Sequence, residues 1–411
     1  MAILSKDGSI LFITRMVRLF AYGSLSVILL IYLAQIGLSD TQIGLLLTLT
    51  LLGDTIISLW LTTRADCVGR RRMLLAGAGL MVFGGTLFAL TTSYAVLLIA
   101  AIIGVISPSG YEVGPFLSIE QSALSNIIPD EKRTQIFAWY NLAGLFTTAL
   151  GAIVTGILVQ LLENAHITPV ASYRTIIVGY AALGFLLAAL FCALSPLVEV
   201  PVESSCEVPS EFRKRFGLHR SKSIVFKLSA LFSLDAFAGG FILQSILAYW
   251  FYKRFGVQPA LLGSIFFGAN ILAGVSSLSA SWMASRIGLV KTMVYTHIPS
   301  NILLMLVPLM PNLPLAITVL LLRFSISQMD VPTRQSYVMA VVEPDERSAA
   351  AGITGVARTV GASFSPVLAG PLLASATLAS IPFFISGSLK IIYDLLLYRS
   401  FQAIRAPEES E

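Results

Sequence analysis

The chain is short of charge. Only 12% of its 411 residues are Asp, Glu, Lys or Arg, with 22 acids against 27 bases. A soluble domain usually carries about 25%, and half that density cannot keep a surface of this size in water. Cysteine is also scarce. Cys67, Cys192 and Cys206 are too few for a disulfide framework and show no metal-ligand spacing. The three histidines, His166, His219 and His297, are scattered, and no triad or ligand spacing joins them. No phosphate-binding glycine loop is present, so nothing supports ATP-driven work by this chain alone. These shortages exclude an ordinary soluble enzyme, a disordered chain and a disulfide-rich secreted domain. They leave no catalytic residue, cofactor or metal to assign.

What remains is apolar. Hydrophobic types make up 56% of the chain, and mean hydropathy is +0.83. Runs long enough to cross a bilayer fall at about 10–36, 42–62, 73–92, 95–125, 134–160, 173–194, 224–251, 259–284, 292–310, 314–342, 348–375 and 380–400. The first contains Arg15 and Arg18 and ends without a small-x-small cleavage site, so it reads as an uncleaved span. Twelve spans define an all-α membrane protein. The connectors are short except for a polar stretch with Pro196, Pro201, Pro209 and the run Arg213, Lys214, Arg215. This divides the chain into 1–194, a linker at 195–223, and 224–411.

An even number of spans leaves both termini on one side. The connectors of that side hold most of the basic residues, including Arg70, Arg71 and Arg72 and the linker run, whereas the other side holds Arg174, Lys253 and Arg254. The positive-inside rule then places both termini and the linker in the cytoplasm. The net charge of +5 is therefore a topology signal rather than a nucleic-acid footprint. A cell membrane, plasma or inner, is the expected location.

The two halves repeat each other. A shift of 219 residues lays Gly37 on Gly256, Gly44 on Gly263 and Gly69 on Gly288. Later the shift falls to about 214, where Gln121-Ser122 meets Gln335-Ser336 and Pro129-Asp130-Glu131 meets Pro344-Asp345-Glu346. In the first and seventh spans Arg18 falls on Asp235. A repeat this long is no solenoid. It suits a duplicated six-helix unit with a binding site between the halves near the bilayer midplane.

After the second span comes Arg64-Ala-Asp66-Cys-Val-Gly69-Arg70-Arg71-Arg72. It resembles the signature loop of the major facilitator superfamily, G-x-x-x-D-[RK]-x-G-R-[RK], with Thr62 and Cys67 departing from the pattern. A worn second copy, Arg286-Ile-Gly288, follows the eighth span. The resemblance covers nearly the whole chain. It implies two pseudo-symmetric six-helix bundles around a central cavity, and a gate in which Asp66, Gly69, Arg70 and Arg71 hold one face shut. It also implies a pathway lined by the first, fourth, seventh and tenth helices. On that basis Tyr22, Tyr111, Glu112, Gln244, Gln328, Asp330 and Arg334 are candidates for substrate contact.

Ionisable residues inside a bilayer are costly and usually face protein or water. Arg18 superposes on Asp235 and Glu120 on Arg334, with the signs exchanged. Depth agrees, since Arg18 and Glu120 each lie about 8–12 Å in from the cytoplasmic side. Two ion pairs are expected, Arg18 with Glu120 and Asp235 with Arg334, against a rival pairing of Glu120 with Arg334. Depth also matches Asp54 with Arg358. Asp54 and Glu112 are the candidates for proton coupling, and structural pairing is the alternative. Lys227, Lys390 and Asp394 are assigned to snorkelling at span ends.

The expected activity is secondary transport of a small polar or amphiphilic solute, anions included, by alternating access with proton-coupled efflux. Proton-coupled uptake or anion exchange is the alternative, and a ligand sensor on the same scaffold belongs to another class. The fifth span lacks the Gly-Pro pair of drug/proton antiporters, which weakens a drug-efflux assignment. The partners implied are the solute, a proton and the lipid bilayer, with the protein a monomer.

Overall fold

A computed structural model describes residues 6–112, 114–128, 133–199, 220–343 and 346–401, with backbone only at 66, 67, 126, 133–135, 138 and 348. The basic linker run, Cys206, the Pro129–Glu131 turn and the Asp66 side chain lie outside the described set. Among the described residues there are sixteen α-helices and no strand.

Among the described residues, nine stretches are long and apolar enough to cross a membrane. Eight are single helices: α1 (Lys6–Gln35), α2 (Asp40–Val68), α3 (Arg70–Leu90), α6 (Arg133–Asn164), α7 (Pro169–Cys192), α10 (Pro259–Ile287), α11 (Leu289–Leu306) and α16 (Ile381–Phe401). The ninth is α8 (Lys222–Gly240) followed by α9 (Gln244–Phe255). Three further spans are each made of two shorter helices: α4 (Tyr94–Ile103) with α5 (Phe116–Ile127), α12 (Leu313–Phe324) with α13 (Asp330–Val341), and α14 (Arg347–Ser363) with α15 (Ser365–Ala374). Nine and three restore the twelve spans read from hydropathy.

The breaks have local causes. Between α4 and α5 the chain holds Pro108, Pro115 and two glycines with positive φ, Gly110 (+74°) and Gly114 (+82°). Proline removes a donor, and glycine reaches backbone angles closed to other residues. The freed carbonyls find new partners, as irregular backbone in a membrane must. Pro108 accepts from the Ser245 N–H at 3.2 Å, Tyr111 from the Ser107 hydroxyl at 2.7 Å, and Val105 from the Tyr180 hydroxyl. Pro366 sits in the first turn of α15, where its missing N–H costs nothing.

By contacts the chain forms two compact units. One gathers the described residues within Met1–Val208 together with Leu243–Phe267, and the other those within Pro209–Ile242 and Gly268–Glu411. In the first, α1 is central, with 83% of its most apolar stretch buried, whereas the corresponding figure for α7 is 39%. The remainder of α7 shows Val178, Phe185 and Leu186, an apolar face suited to lipid rather than water.

Equivalent helices cross closely in each unit. A side chain on Gly23 of α1 would strike the backbone carbonyl of Thr148 on α6, and one on Gly240 of α8 would strike that of Ala362 on α14. Small residues at such crossings let helices approach where packing, not water, drives association. Gly23 and Gly240 are aligned by the same shift that aligns Arg18 with Asp235.

Candidate functional site

In the first unit, the centre is a cation. Arg18 on α1 is fully buried. Its guanidinium makes a two-pronged contact with Glu120 on α5, Nη1 to Oε1 at 2.8 Å and Nη2 to Oε2 at 2.7 Å. Its Nε donates to Glu112 Oε1 at 2.7 Å. Arg15, one turn below, brings Nη1 to 3.2 Å from Glu112 Oε2, donates from Nη2 to the Asn141 amide oxygen at 3.0 Å, and stacks on the Tyr140 ring. Thr14 donates to Glu120 at 2.8 Å, and the Tyr140 hydroxyl donates to it as well. Two guanidinium groups thus meet two carboxylates, and the oxygens of Glu120 are further met by hydroxyls. The α4–α5 break positions Glu112, because a continuous helix would hold it to one face with no slack.

Asp54 on α2 stands near this centre but is held differently. It is buried. Its carboxylate accepts from the Gly114 N–H and lies 3.5 Å from the Ser58 hydroxyl. Within its unit no described cation lies within ion-pairing distance of it. Arg358, the residue matched to it by depth, brings Nη1 to 3.5 Å from Asp235 Oδ2 within the second unit.

The centre of the second unit is an anion. Asp235 on α8 receives Lys390 Nζ at 2.6 Å on Oδ1, and Arg334 at 3.3 Å and Arg358 at 3.5 Å on Oδ2. Arg334 also holds Asp330, one turn away on α13, at 3.0 Å. Arg18 with Glu120 and Asp235 with Arg334 are therefore each paired within a unit.

Two residues assigned to span ends belong here instead. Lys390 lies eleven residues from the end of α16, about 16 Å along the axis. It turns inward to Asp235 rather than out to headgroups. Asp394, one turn on and on the same face, is fully buried and meets His297 Nδ1 at 2.9 and 3.1 Å and the Asn301 amide at 3.4 Å. His297 on α11, read from spacing as isolated, brings Nε2 within 4.0 Å of Asp235 Oδ1. The signal available in the sequence was the four-residue spacing of Lys390 and Asp394, which puts opposite charges on one helix face. Tyr140, Thr14 and Asn141 had no such signal. Lys227 is exposed, as a snorkelling lysine should be.

The signature loop has its own chemistry. Gly69 turns with φ +112° between α2 and α3, and Gly288 repeats the turn at +89°. The N-terminus of α3 is capped from the start of the linker, where Glu199 accepts from the N–H groups of Arg70 at 2.6 Å and Arg71 at 3.1 Å. The Arg70 side chain reaches Ser122 and the Val198 carbonyl, and that of Arg71 reaches the Cys192 carbonyl. Arg286 falls on Cys67 in the 219-residue shift, and Leu289 on Arg70. Arg286 lies over the Trp282 ring one turn back at 4.2 Å, as Arg64 lies over Trp60 at 4.6 Å.

The remaining contact candidates are dispersed. Tyr22 is buried against Tyr180, Gln244 donates to the Ser26 hydroxyl at 2.8 Å, and the Gln328 N–H donates to Ser276. Tyr111 lies on the α4–α5 break, its N–H turned to Ser109.

A duplicated set of membrane-spanning helices with buried, balanced charge at the heart of each copy defines a polytopic transporter. The family model described as Major Facilitator Superfamily matches residues 11–366. The chain belongs to that superfamily and is a multi-pass membrane transporter, not an enzyme. It is 31% identical over 429 aligned residues to "Uncharacterized membrane protein YJR124C" of Saccharomyces cerevisiae, covering 98% of this chain and 95% of that one. Among solved structures it resembles a mutant form of the nucleoside transporter NupG, with TM-score 0.75 at 15% identity over 96% of this chain and 100% of the other. It also resembles a D-xylose-proton symporter, with TM-score 0.74 at 15% identity over 95% and 97%. At such identities the likeness is one of fold.

Proposed function

We propose that this transporter is proton-coupled and exports a small polar or amphiphilic solute from the cytoplasm by alternating access between the duplicated halves 1–194 and 224–411. The observation that carries the coupling is Asp54, a buried carboxylate met by neutral donors and set beside a cluster whose cations are already matched. Such a group can take up and release a proton without breaking an ion pair, whereas Glu112 and Glu120 cannot. Glu112 remains the second candidate, through exchange of its hold on Arg15. The matched arginines also bear on the solute. Arg15, Arg18, Arg323, Arg334 and Arg358 invite an anion by sequence, but Arg15, Arg18, Arg334 and Arg358 each have a carboxylate partner in their own unit, which favours an uncharged or zwitterionic polar solute. Uptake along the proton gradient is the alternative direction, and a sensor that binds without flux is the alternative class. The linker-side arginines support a cytoplasmic linker and termini.

A thermal-shift screen supplies a solute, and flux of that solute in proteoliposomes with and without a pH gradient tests the reading. Asp54→Asn is expected to abolish gradient-driven accumulation while sparing counterflow. An unchanged response to the gradient removes Asp54, and absence of counterflow in the native protein favours the sensor.

A further inference from the structure

The second unit holds a buried imidazole between two carboxylates, and the geometry points to a second proton-binding site there, made of His297 with Asp394 and Asp235 on helices α11, α16 and α8. The inference rests on the proton-coupled reading above. It places a proton on an imidazole of the ninth span, between carboxylates of the twelfth and seventh spans.

The groups facing the imidazole fix the argument. From α16 come Asp394, Lys390 and the edge-on ring of Tyr393 at 6.1 Å. From α8 comes Asp235, which also gathers Arg334 of α13 and Arg358 of α14, while Asp330 of α13 holds Arg334. Three carboxylates, Asp394, Asp235 and Asp330, stand against three basic groups, Lys390, Arg334 and Arg358, so with all six ionised the cluster is neutral when His297 is neutral. Nδ1 faces both oxygens of Asp394 at 2.9 and 3.1 Å. A carboxylate can only accept, so a proton lies between Nδ1 and Asp394. That leaves Nε2 as an acceptor facing the acceptor Oδ1 of Asp235. The pair stands at 4.0 Å, beyond hydrogen-bond reach, and Lys390 occupies Oδ1 instead.

A second proton on Nε2 changes the sign of that contact. Nε2 becomes a donor 4.0 Å from an oxygen already held by Lys390, and it competes for it. The cluster gains one net positive charge, and the grip of Asp235 on Lys390 and Arg358 weakens. Arg358 is the loosest member, with its side chain one-third exposed. Proton arrival at His297 thus loosens α14 and α16 from α8. Imidazole is suited to the task because it can carry a proton on either ring nitrogen or on both.

The test needs no substrate. His166→Gln with His219→Gln leaves His297 as the sole histidine of the full-length chain, and nitrogen-15 NMR of the histidine-labelled protein in nanodiscs reads its protonation directly. The expected result is an Nδ1-protonated neutral ring at high pH that becomes doubly protonated on acidification. Asp394→Asn should switch the neutral ring to Nε2-protonated. A ring that keeps one neutral form from pH 8 to 5 overturns the site. The second arm uses the solute found by thermal shift. His297→Gln should lose gradient-driven accumulation and keep counterflow, which a merely structural tether would not separate. If the native protein responds to the gradient and His297→Gln responds equally, the coupling role falls. A native protein indifferent to the gradient, with a titrating His297, overturns proton-coupled transport and leaves the proton site standing.

Discussion

Arg18 and Asp235 occupy matching places in the two halves, yet one is a cation ringed by carboxylates and the other a carboxylate ringed by cations. The duplicated fold therefore conserves the place of a buried charge and not its sign. What has to be kept is neutrality across the partners, because an uncompensated ion in the bilayer is the costly state. The two solutions differ in stiffness. A guanidinium gripped in two prongs by Glu120 is locked in one plane. A carboxylate shared by Lys390, Arg334 and Arg358 can exchange donors without being left empty. The first unit reads as the fixed centre and the second as the adjustable one.

The largest expected effect breaks this contrast at its hubs. Arg18→Leu leaves Glu112 and Glu120 buried without their main cation, a loss of about 3–5 kcal/mol, and the variant should fail to accumulate as folded protein. Asp235→Asn keeps an acceptor, and its released cations include Arg358, already partly exposed. It should fold with a much smaller loss. Thermal unfolding in detergent, with size-exclusion recovery, compares them, and equal losses would dissolve the distinction between a fixed and an adjustable centre.

That distinction was only half legible beforehand. Periodicity and hydropathy carried the spans, because a bilayer sets their length. The repeat carried the sign exchange at Arg18 and Asp235 and the pairing of each with Glu120 or Arg334, because duplicated helices keep their neighbours. Linear depth failed for Lys390 and Asp394, which it assigned to span ends. Depth says how far along the normal a residue sits, but the azimuth that brings His297 against Asp394, or Gly114 against Asp54, comes from packing between helices distant in sequence. The α4–α5 break was visible in its prolines and glycines. The breaks at α8–α9 and α12–α13 carried weaker marks, Gly239-Gly240 and the near-polar Ser325–Gln328 stretch.

A middle-sized effect sharpens the comparison at the linker-side ends. Glu199 caps α3, and in the second unit Glu346 accepts from the N–H groups of Arg220 at 2.8 Å and Ser221 at 2.9 Å, immediately ahead of α8. A carboxylate at a helix N-terminus satisfies orphan donors and meets the positive end of the dipole. Each Glu→Gln change should cost about 1 kcal/mol, read as a lowered unfolding midpoint. Glu346 is buried whereas Glu199 is partly exposed, so Glu346→Gln should cost more, and added salt should weaken the native contribution of Glu199 more than that of Glu346.

The smallest effect concerns Arg64 over Trp60 and Arg286 over Trp282. Both rings are about half exposed at the linker-side ends of their helices, where an aromatic ring and a cation suit the boundary between lipid tails and headgroups. The second copy of the signature loop has Leu289 where the first has Arg70, and it keeps the interfacial pairing. Replacing either arginine by Ala removes a contact worth about 0.5–1 kcal/mol at an exposed site, and the two variants should lose the same small amount in thermal unfolding. Arg70→Ala, by contrast, also strips Ser122 and the Val198 carbonyl of their donor and should lose more than either. If Arg286→Ala matched Arg70→Ala rather than Arg64→Ala, the worn copy would still be working as a latch, and the equivalence drawn between the two tryptophan-stacked arginines would be wrong.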